Sequence, residues 1–194
     1  MTVHDHQDGA GSSAPLSPPP LSPRLDPART ALILVDLMDR IVALPLAPHS
    51  GPEVLAAALR LAGTFRAAGA TVVGVRVHRP GPAEQPPGSD LVEDIAKVCD
   101  LVVVKQTVGA FHGTGLDERL RERGIDTLVL AGVATNMGVE STARAAADHG
   151  YGLVFAEDAM SGLTAAEHRS AVSLDFPRFG TVVTTGQVRF TDGG

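Results

Sequence analysis

Three observations specify an α/β protein with about six mostly parallel strands and helices on both faces of the sheet. The first is a recurring unit in which a helix ends near glycine and an apolar strand follows. Arg66-Ala-Ala-Gly69 precedes a strand at 71–77, Arg121-Glu-Arg-Gly124 one at 127–131, and Asp148-His-Gly150 one at 152–156. Glycine there permits a left-handed residue, and the short gap returns the chain to the sheet. The second is that strands are continuous apolar runs, such as Ala31-Leu-Ile-Leu-Val35, as burial on both faces demands. The third is that loops 80–90 and 106–115 each follow a strand. That puts them at the C-terminal edge of the sheet, where open α/β sheets bind ligands.

Taken in order, residues 1–27 are expected to be an unstructured tail. Ser12-Ser-Ala-Pro15 and Ser17-Pro-Pro-Pro20 are too polar and proline-rich to bury a core. The domain then spans 28–194. Its first strand, 31–35, ends in Asp36. Ser50 and Glu53 have capping-box spacing, and Pro52 suits a first helical turn. Val54, Leu55, Ala58, Leu61, Ala62 and Phe65 then recur as one apolar helical face. Further strands are expected at 101–104 and 181–183. The 127–131 strand leads through Gly132 into a small-residue helix over about 137–148, which Thr135 or Asn136 can cap. A last long helix starts at Thr164-Ala-Ala-Glu167, a second capping box.

Composition excludes several function classes. Hydrophobic residues make up 44% of the chain and charged residues 20%, which is a globular balance. Aromatics are only 4%, so the core must be Val, Leu and Ala. The net charge of -6, without a basic block, argues against nucleic acid as partner. No apolar stretch reaches the ~18 residues of a membrane span. No leader pattern opens the chain, so a cytoplasmic location is expected. The single cysteine, Cys99, rules out an internal disulfide and a cysteine metal cluster.

Asp36, Lys105 and Gly138 each come just after a strand, on one edge of a parallel sheet. Distant in sequence, they can converge. A carboxylate and an ammonium in a semi-buried cleft shift each other's pKa and can share proton transfers. A helix N-terminus just past a strand presents backbone N–H donors to developing negative charge. Singly, each residue also has a plain reading: Asp36 as a cap, Lys105 as a solvated cation, Gly138 as a close-packing residue.

Four blocks in order carry a specific resemblance: Ala31-Leu-Ile-Leu-Val-Asp36, Val104-Lys-Gln-Thr-Val-Gly-Ala-Phe-His-Gly-Thr114, Gly132-Val-Ala-Thr-Asn-Met-Gly-Val-Glu-Ser-Thr-Ala-Arg144, and Ala156-Glu-Asp-Ala159. Over about 30–188 the chain resembles the isochorismatase-like hydrolase family of the cysteine hydrolase superfamily. That family includes nicotinamidases, N-carbamoyl amidases and true isochorismatases. The resemblance implies a three-layer α/β/α, Rossmann-like fold and a homodimer or homotetramer acting on a small molecule. It assigns Asp36 and Lys105 as catalytic and puts the cysteine nucleophile's position at Gly138. It places oxyanion donors at the amides of Ala134 and Gly138, with Val133–Ala134 cis. It assigns the substrate pocket to Phe111, His112, Val133 and Met137. No metal is expected, because Val77-His-Arg-Pro80 lacks the Asp-x-His-x-His pattern of nicotinamidases, and no cofactor is expected either.

The departure at Gly138 governs the functional expectation. Without a thiol there is no thioester. Cys99 lies before the 101–104 strand, roughly 20 Å from the site at about 3.3 Å per residue, and reads as a packed small hydrophobe. Ser141 and Thr135 lie near Gly138 without an evident base. True isochorismatases also carry glycine here and hydrolyse a vinyl ether without a covalent intermediate. By that likeness, Asp36 protonates the vinyl-ether carbon and Lys105 holds Asp36 or the substrate carboxylate. A ligand-binding homologue without catalysis and an amidase using direct water attack are the alternatives. Phe111 also reads as a loop anchor and His112 as a solvated loop residue or an acid or base. Met38 stands where many members have glutamine, Glu140 and Arg144 read as helix-surface or interface charges, and Asp158 as a loop brace. Gly109, Gly113 and Gly115 match no phosphate-loop spacing.

Overall fold

A computed structural model describes residues 23–81 and 84–191. The central sheet has six strands, all parallel: β2 (Thr30–Val35), β3 (Thr71–Val77), β4 (Leu101–Lys105), β5 (Thr127–Val133), β6 (Gly152–Ser161) and β7 (Thr181–Val183). Their spatial order is β4-β3-β2-β5-β6-β7. From β2 the chain winds one way to β3 and β4; from β5 it winds the other way to β6 and β7. The gap beyond the ends of β2 and β5 is therefore the topological switch point, where such sheets hold ligands.

Strand β2 explains the layers. Leu32 and Leu34 pack toward one face with Val54, Ala58, Leu61 and Phe65 of α2 (Gly51–Ala67). Ala31, Ile33 and Val35 pack toward the other, with Leu116 and Leu120 of α4 (Leu116–Arg121) and Ala143 and Ala146 of α5 (Glu140–Asp148). This alternation is the period of two expected of a strand with a core on each face. Short helices α1 (Asp39–Val42) and α3 (Glu93–Val98) lie between the strands. The Glu53 carboxylate accepts from the Ser50 amide at 2.8 Å. Helix α6 (Ala165–Ser170) has a complete box: Glu167 accepts from the Thr164 amide at 2.9 Å and Thr164 Oγ1 from the Glu167 amide at 3.2 Å.

Three expectations change. The tail was expected to run to residue 27, yet β1 (Arg24–Leu25) pairs in parallel with β8 (Arg189–Phe190) as Leu25 buries itself. Residues 1–22 of the expected tail lie outside the described residues. The helix expected over 137–148 begins as a π turn, Thr135–Val139, and becomes α-helical only at α5. Neither Thr135 nor Asn136 caps it; Ala134 occupies the cap position without a side-chain bond. The last helix is α-helical for only six residues, then widens over Ala171–Asp175 and tightens over Phe176–Arg178. Pro177, which lacks an N–H, cannot continue the α-helical ladder. Among the described residues, no helix is long and apolar enough to cross a membrane.

Candidate active site

Asp36 is the first residue beyond β2. Its amide donates to the Val75 carbonyl at 2.8 Å, and its carbonyl accepts from the Met38 amide at 2.8 Å, so its backbone is held on both sides. Its φ is 53°, the one positive value outside glycine among the described residues. Aspartate tolerates this region better than most residues. Holding a non-glycine residue there still costs of order 1–3 kcal/mol, a strain that clusters at functional sites.

Lys105 closes the edge strand β4. Val102 and Val104 face outward along that strand, while Val103 and Lys105 turn inward. Lys105 is only 2% exposed. Its Nζ lies 2.8 Å from Asp36 Oδ2 and donates to the Val108 carbonyl at 2.5 Å. Burial raises the Asp36 carboxyl above its ordinary range, outweighing Lys105, which pulls it down, and the smaller effect of Arg40. Asp36 Oδ1 is buried and has no hydrogen-bond partner among the described residues.

Gly138 completes the convergence. A Cβ at this position would lie 3.1 Å from Val35 Cγ1, 3.2 Å from Asp36 Oδ2 and 3.3 Å from Lys105 Nζ. A side chain here would sit directly on the ion pair. The approach to it is set by Gly132 (φ 121°), where any side chain would collide with the Val35 carbonyl of the neighbouring strand. The Val133–Ala134 peptide is cis. The Ala134 carbonyl accepts from Met137 at 3.0 Å and from Val139 at 3.2 Å, and Gly138 is not among its donors. Such π turns recur at functional sites. Thr142 Oγ1 ties the turn to the 106–115 loop: it donates to the Gly138 carbonyl at 2.6 Å and accepts from the Ala110 amide at 3.1 Å.

These residues open onto a cleft of about 400 Å³, a volume that suits a small molecule. Asp36, Lys105, Gly138, Ala134, Val133 and Met137 all line it, together with apolar Ile41, Leu44 and Leu163. Phe111 and His112, expected in the pocket, do not line the cleft. With Ala110 bound to Thr142, Phe111 turns inward, 5.1 Å from the His149 ring and 5.9 Å from Tyr151. His112 turns outward to solvent beside Val104 and Thr107.

Arg79 is the residue that sequence reasoning missed. It lines the cleft, it is exposed, and its guanidinium has no acidic partner among the described residues. Gln85 holds its backbone, accepting from the Arg79 amide at 2.7 Å and donating to its carbonyl at 3.0 Å. The usable signal was a cation just past the 71–77 strand, on the same edge as Asp36 and Lys105.

Neither hydroxyl beside Gly138 opens onto the cleft. Thr135 Oγ1 lies 2.9 Å from His168 Nδ1, yet Thr135 is fully buried and does not line the cleft. Ser141 packs under the loop, against the α-carbon of Gly109. Cys99 is half-buried; its Sγ donates to the Ile95 carbonyl at 3.0 Å and burial pushes the thiol up to about 11. Met38 is fully buried in the core. Asp158 accepts from the Thr185 amide at 2.6 Å and hydroxyl at 2.7 Å, bracing that turn. Arg144 pairs with Glu140 at 2.7 Å and Asp175 at 3.3 Å. Away from the cleft, His49, Glu157 and His168 bring ligand-capable atoms within 4.8 Å of one another.

Residues 30–187 match the isochorismatase domain. The chain is 38% identical over 181 residues to the uncharacterized isochorismatase family protein YecD of Escherichia coli O157:H7, covering 84% of this chain and 96% of that one. The solved structure of an isochorismatase family protein from Burkholderia thailandensis superposes with a TM-score of 0.73 at 37% identity, covering 86% and 96% of the two chains. Maleamate amidohydrolase of Pseudomonas putida is 28% identical over 178 residues, 80% of this chain and 83% of its own. An ion pair at the switch point of a parallel sheet and this breadth of likeness have one reading: the chain belongs to the isochorismatase family of hydrolases.

Proposed function

We propose that the chain hydrolyses a small carboxylated vinyl ether with water and without a covalent intermediate. In this reading Asp36 gives its proton to the terminal vinyl carbon, and an oxocarbenium ion forms at the ether-bearing carbon. Water adds there and returns a proton to Asp36. The hemiketal then collapses, releasing an alcohol and a ketone, which is pyruvate when the vinyl group carries the carboxylate. The amides of Ala134 and Gly138 and the ammonium of Lys105 steady the oxygen atoms, and Arg79 anchors a carboxylate across the cleft.

The observation that carries the proposal is the pairing of a bare α-carbon at Gly138 with a desolvated acid. A nucleophile would have to occupy the space of that absent side chain, 3.2 Å from Asp36 Oδ2. Burial meanwhile raises the carboxyl, as an acid working near neutrality requires. A second reading, amide hydrolysis by direct water attack, is supported by the similarity to maleamate amidohydrolase.

The deciding experiment incubates purified protein with isochorismate and a panel of small amides and scores pyruvate and ammonia together. Pyruvate release that falls ~10²-fold or more in Asp36→Asn, the scale of a lost general acid, supports the first reading. Ammonia without pyruvate, and without an acyl-enzyme by mass spectrometry, favours the second. Saturable binding of either class without turnover replaces both with a ligand-binding role.

A further inference from the structure

We propose that His49, Glu157 and His168 form a binding site for one zinc ion beside the turn that carries Ala134 and Gly138. None of the three lines the cleft, so the site is separate from the hydrolytic one.

Three separate segments meet at this point. His49 comes from the segment before α2, Glu157 from the middle of β6, and His168 from α6. One ligand atom from each lies within 4.8 Å of the others. His168 Nε2 and Glu157 Oε2 are 3.8 Å apart. That is too long for a hydrogen bond, but two ligands each about 2.0–2.2 Å from a tetrahedral zinc ion sit about 3.5 Å apart. The rings of His49 and His168 stand edge to face with centroids 5.8 Å apart. His49 is half-buried, and its backbone amide donates to Ser161 Oγ at 3.2 Å.

The surroundings are those of a ligating histidine. His168 is 3% exposed, and its Nδ1 lies 2.9 Å from Thr135 Oγ1. A hydrogen bond on one ring nitrogen fixes the tautomer and aims the other at the metal. Here it directs Nε2 into the gap shared with Glu157. Two imidazoles and one carboxylate form a donor set that suits zinc, with the fourth position left for water. Glu157 is one-third exposed on its side chain, which leaves an entry path. Through the His168–Thr135 bond, an ion here would also stiffen the π turn that presents the oxyanion donors.

The test is calorimetric titration of the metal-stripped full-length protein with zinc chloride, alongside thermal unfolding with and without zinc. His4 and His6 offer unrelated ligands, so a His4→Ala/His6→Ala variant serves as background. One equivalent should bind to the wild type and to the background variant. His49→Ala and Glu157→Gln, each with unchanged circular dichroism, should weaken that binding by at least the roughly 10–100-fold typical of losing a ligand's supporting partner. Both should also lose the zinc-dependent rise in Tm. His168→Ala is the poorer probe, because its ring also holds Thr135. The proposal is overturned by no stoichiometric uptake, by uptake that survives both variants, or by uptake that disappears with His4 and His6.

Discussion

Replacing Lys105 with Met keeps an unbranched apolar stem and removes the charge, which isolates what the ammonium does for Asp36. Two losses follow. Where Asp36 is protonated in both proteins, the ammonium's bonds to the Val108 carbonyl and to the neutral Asp36 carboxyl are missing, a cost of about 1.5–3 kcal/mol for each charged bond. Where Asp36 would be ionised, a buried carboxylate is left without its counter-ion, and the total approaches about 3–5 kcal/mol. Between these limits the sign is set by linkage. Burial already holds the folded-state pKa of Asp36 above its ordinary value, and the ammonium is the main opposing influence. Its removal lifts that pKa further. The folded variant then keeps a proton that the unfolded chain has released. The contribution is complete below the unfolded pKa and is lost as pH rises through the folded one, with a slope of at most about 1.4 kcal/mol per pH unit. Urea unfolding from pH 5 to pH 8 at fixed protein concentration measures this. Far-UV circular dichroism is the probe, because the chain has no Trp. The gap between wild type and Lys105→Met should widen with pH, and adding Asp36→Asn should flatten it. A gap that stays constant across the range would mean Asp36 titrates as a solvated carboxylate, and the desolvated-acid argument would fail.

Restoring a thiol tests the geometry at position 138. Gly138→Cys puts Cβ 3.3 Å from Lys105 Nζ, so the thiolate should be favoured and iodoacetamide should label residue 138 at pH 7. Cys99, pushed up to about 11 by burial, has only about 10⁻⁴ of its thiol ionised at that pH and should stay unlabelled; equal labelling of both, seen by peptide mass spectrometry, refutes the arrangement. With an active substrate in hand, kcat should be highest below the raised pKa of Asp36 and decline as pH rises through it, because the acid must carry its proton; a rate that climbs with pH points to a base instead. Arg79→Met should raise KM about 10–100-fold for a carboxylated substrate, the scale of a lost charged hydrogen bond, with little change for its amide or ester; equal effects on both would remove Arg79 from carboxylate recognition.

Much of the architecture was legible because it is written in local patterns. Ala31 to Val35 has no polar residue to place on either face, so it could only be a strand buried on both. Thr164 and Glu167 announce a helix start by their spacing alone. The convergence of Asp36, Lys105 and Gly138 followed from a simple rule: residues just past parallel strands share one edge. Cys99 was placed far from that edge by the same rule.

Other features depend on contacts between segments far apart in the chain. Capping propensity at Thr135 lost to a hydrogen bond with His168, thirty-three residues later, and the helix start widened into a π turn. Phe111 was expected in the pocket, but Thr142 fixes Ala110 and so turns Phe111 toward His149 and Tyr151. Arg79 and the His49–Glu157–His168 cluster follow no spacing pattern, since their neighbours are chosen by how loops and helices lie across the sheet. The strands of the central sheet and the edge that carries Asp36 and Lys105 could be read from the chain, because continuous apolar runs and helix–glycine–strand units are local patterns. Which charge is desolvated, which cation faces the cleft and which hydroxyl is already taken emerged with the packed fold alone, because solvation and side-chain partnership are properties of packed space.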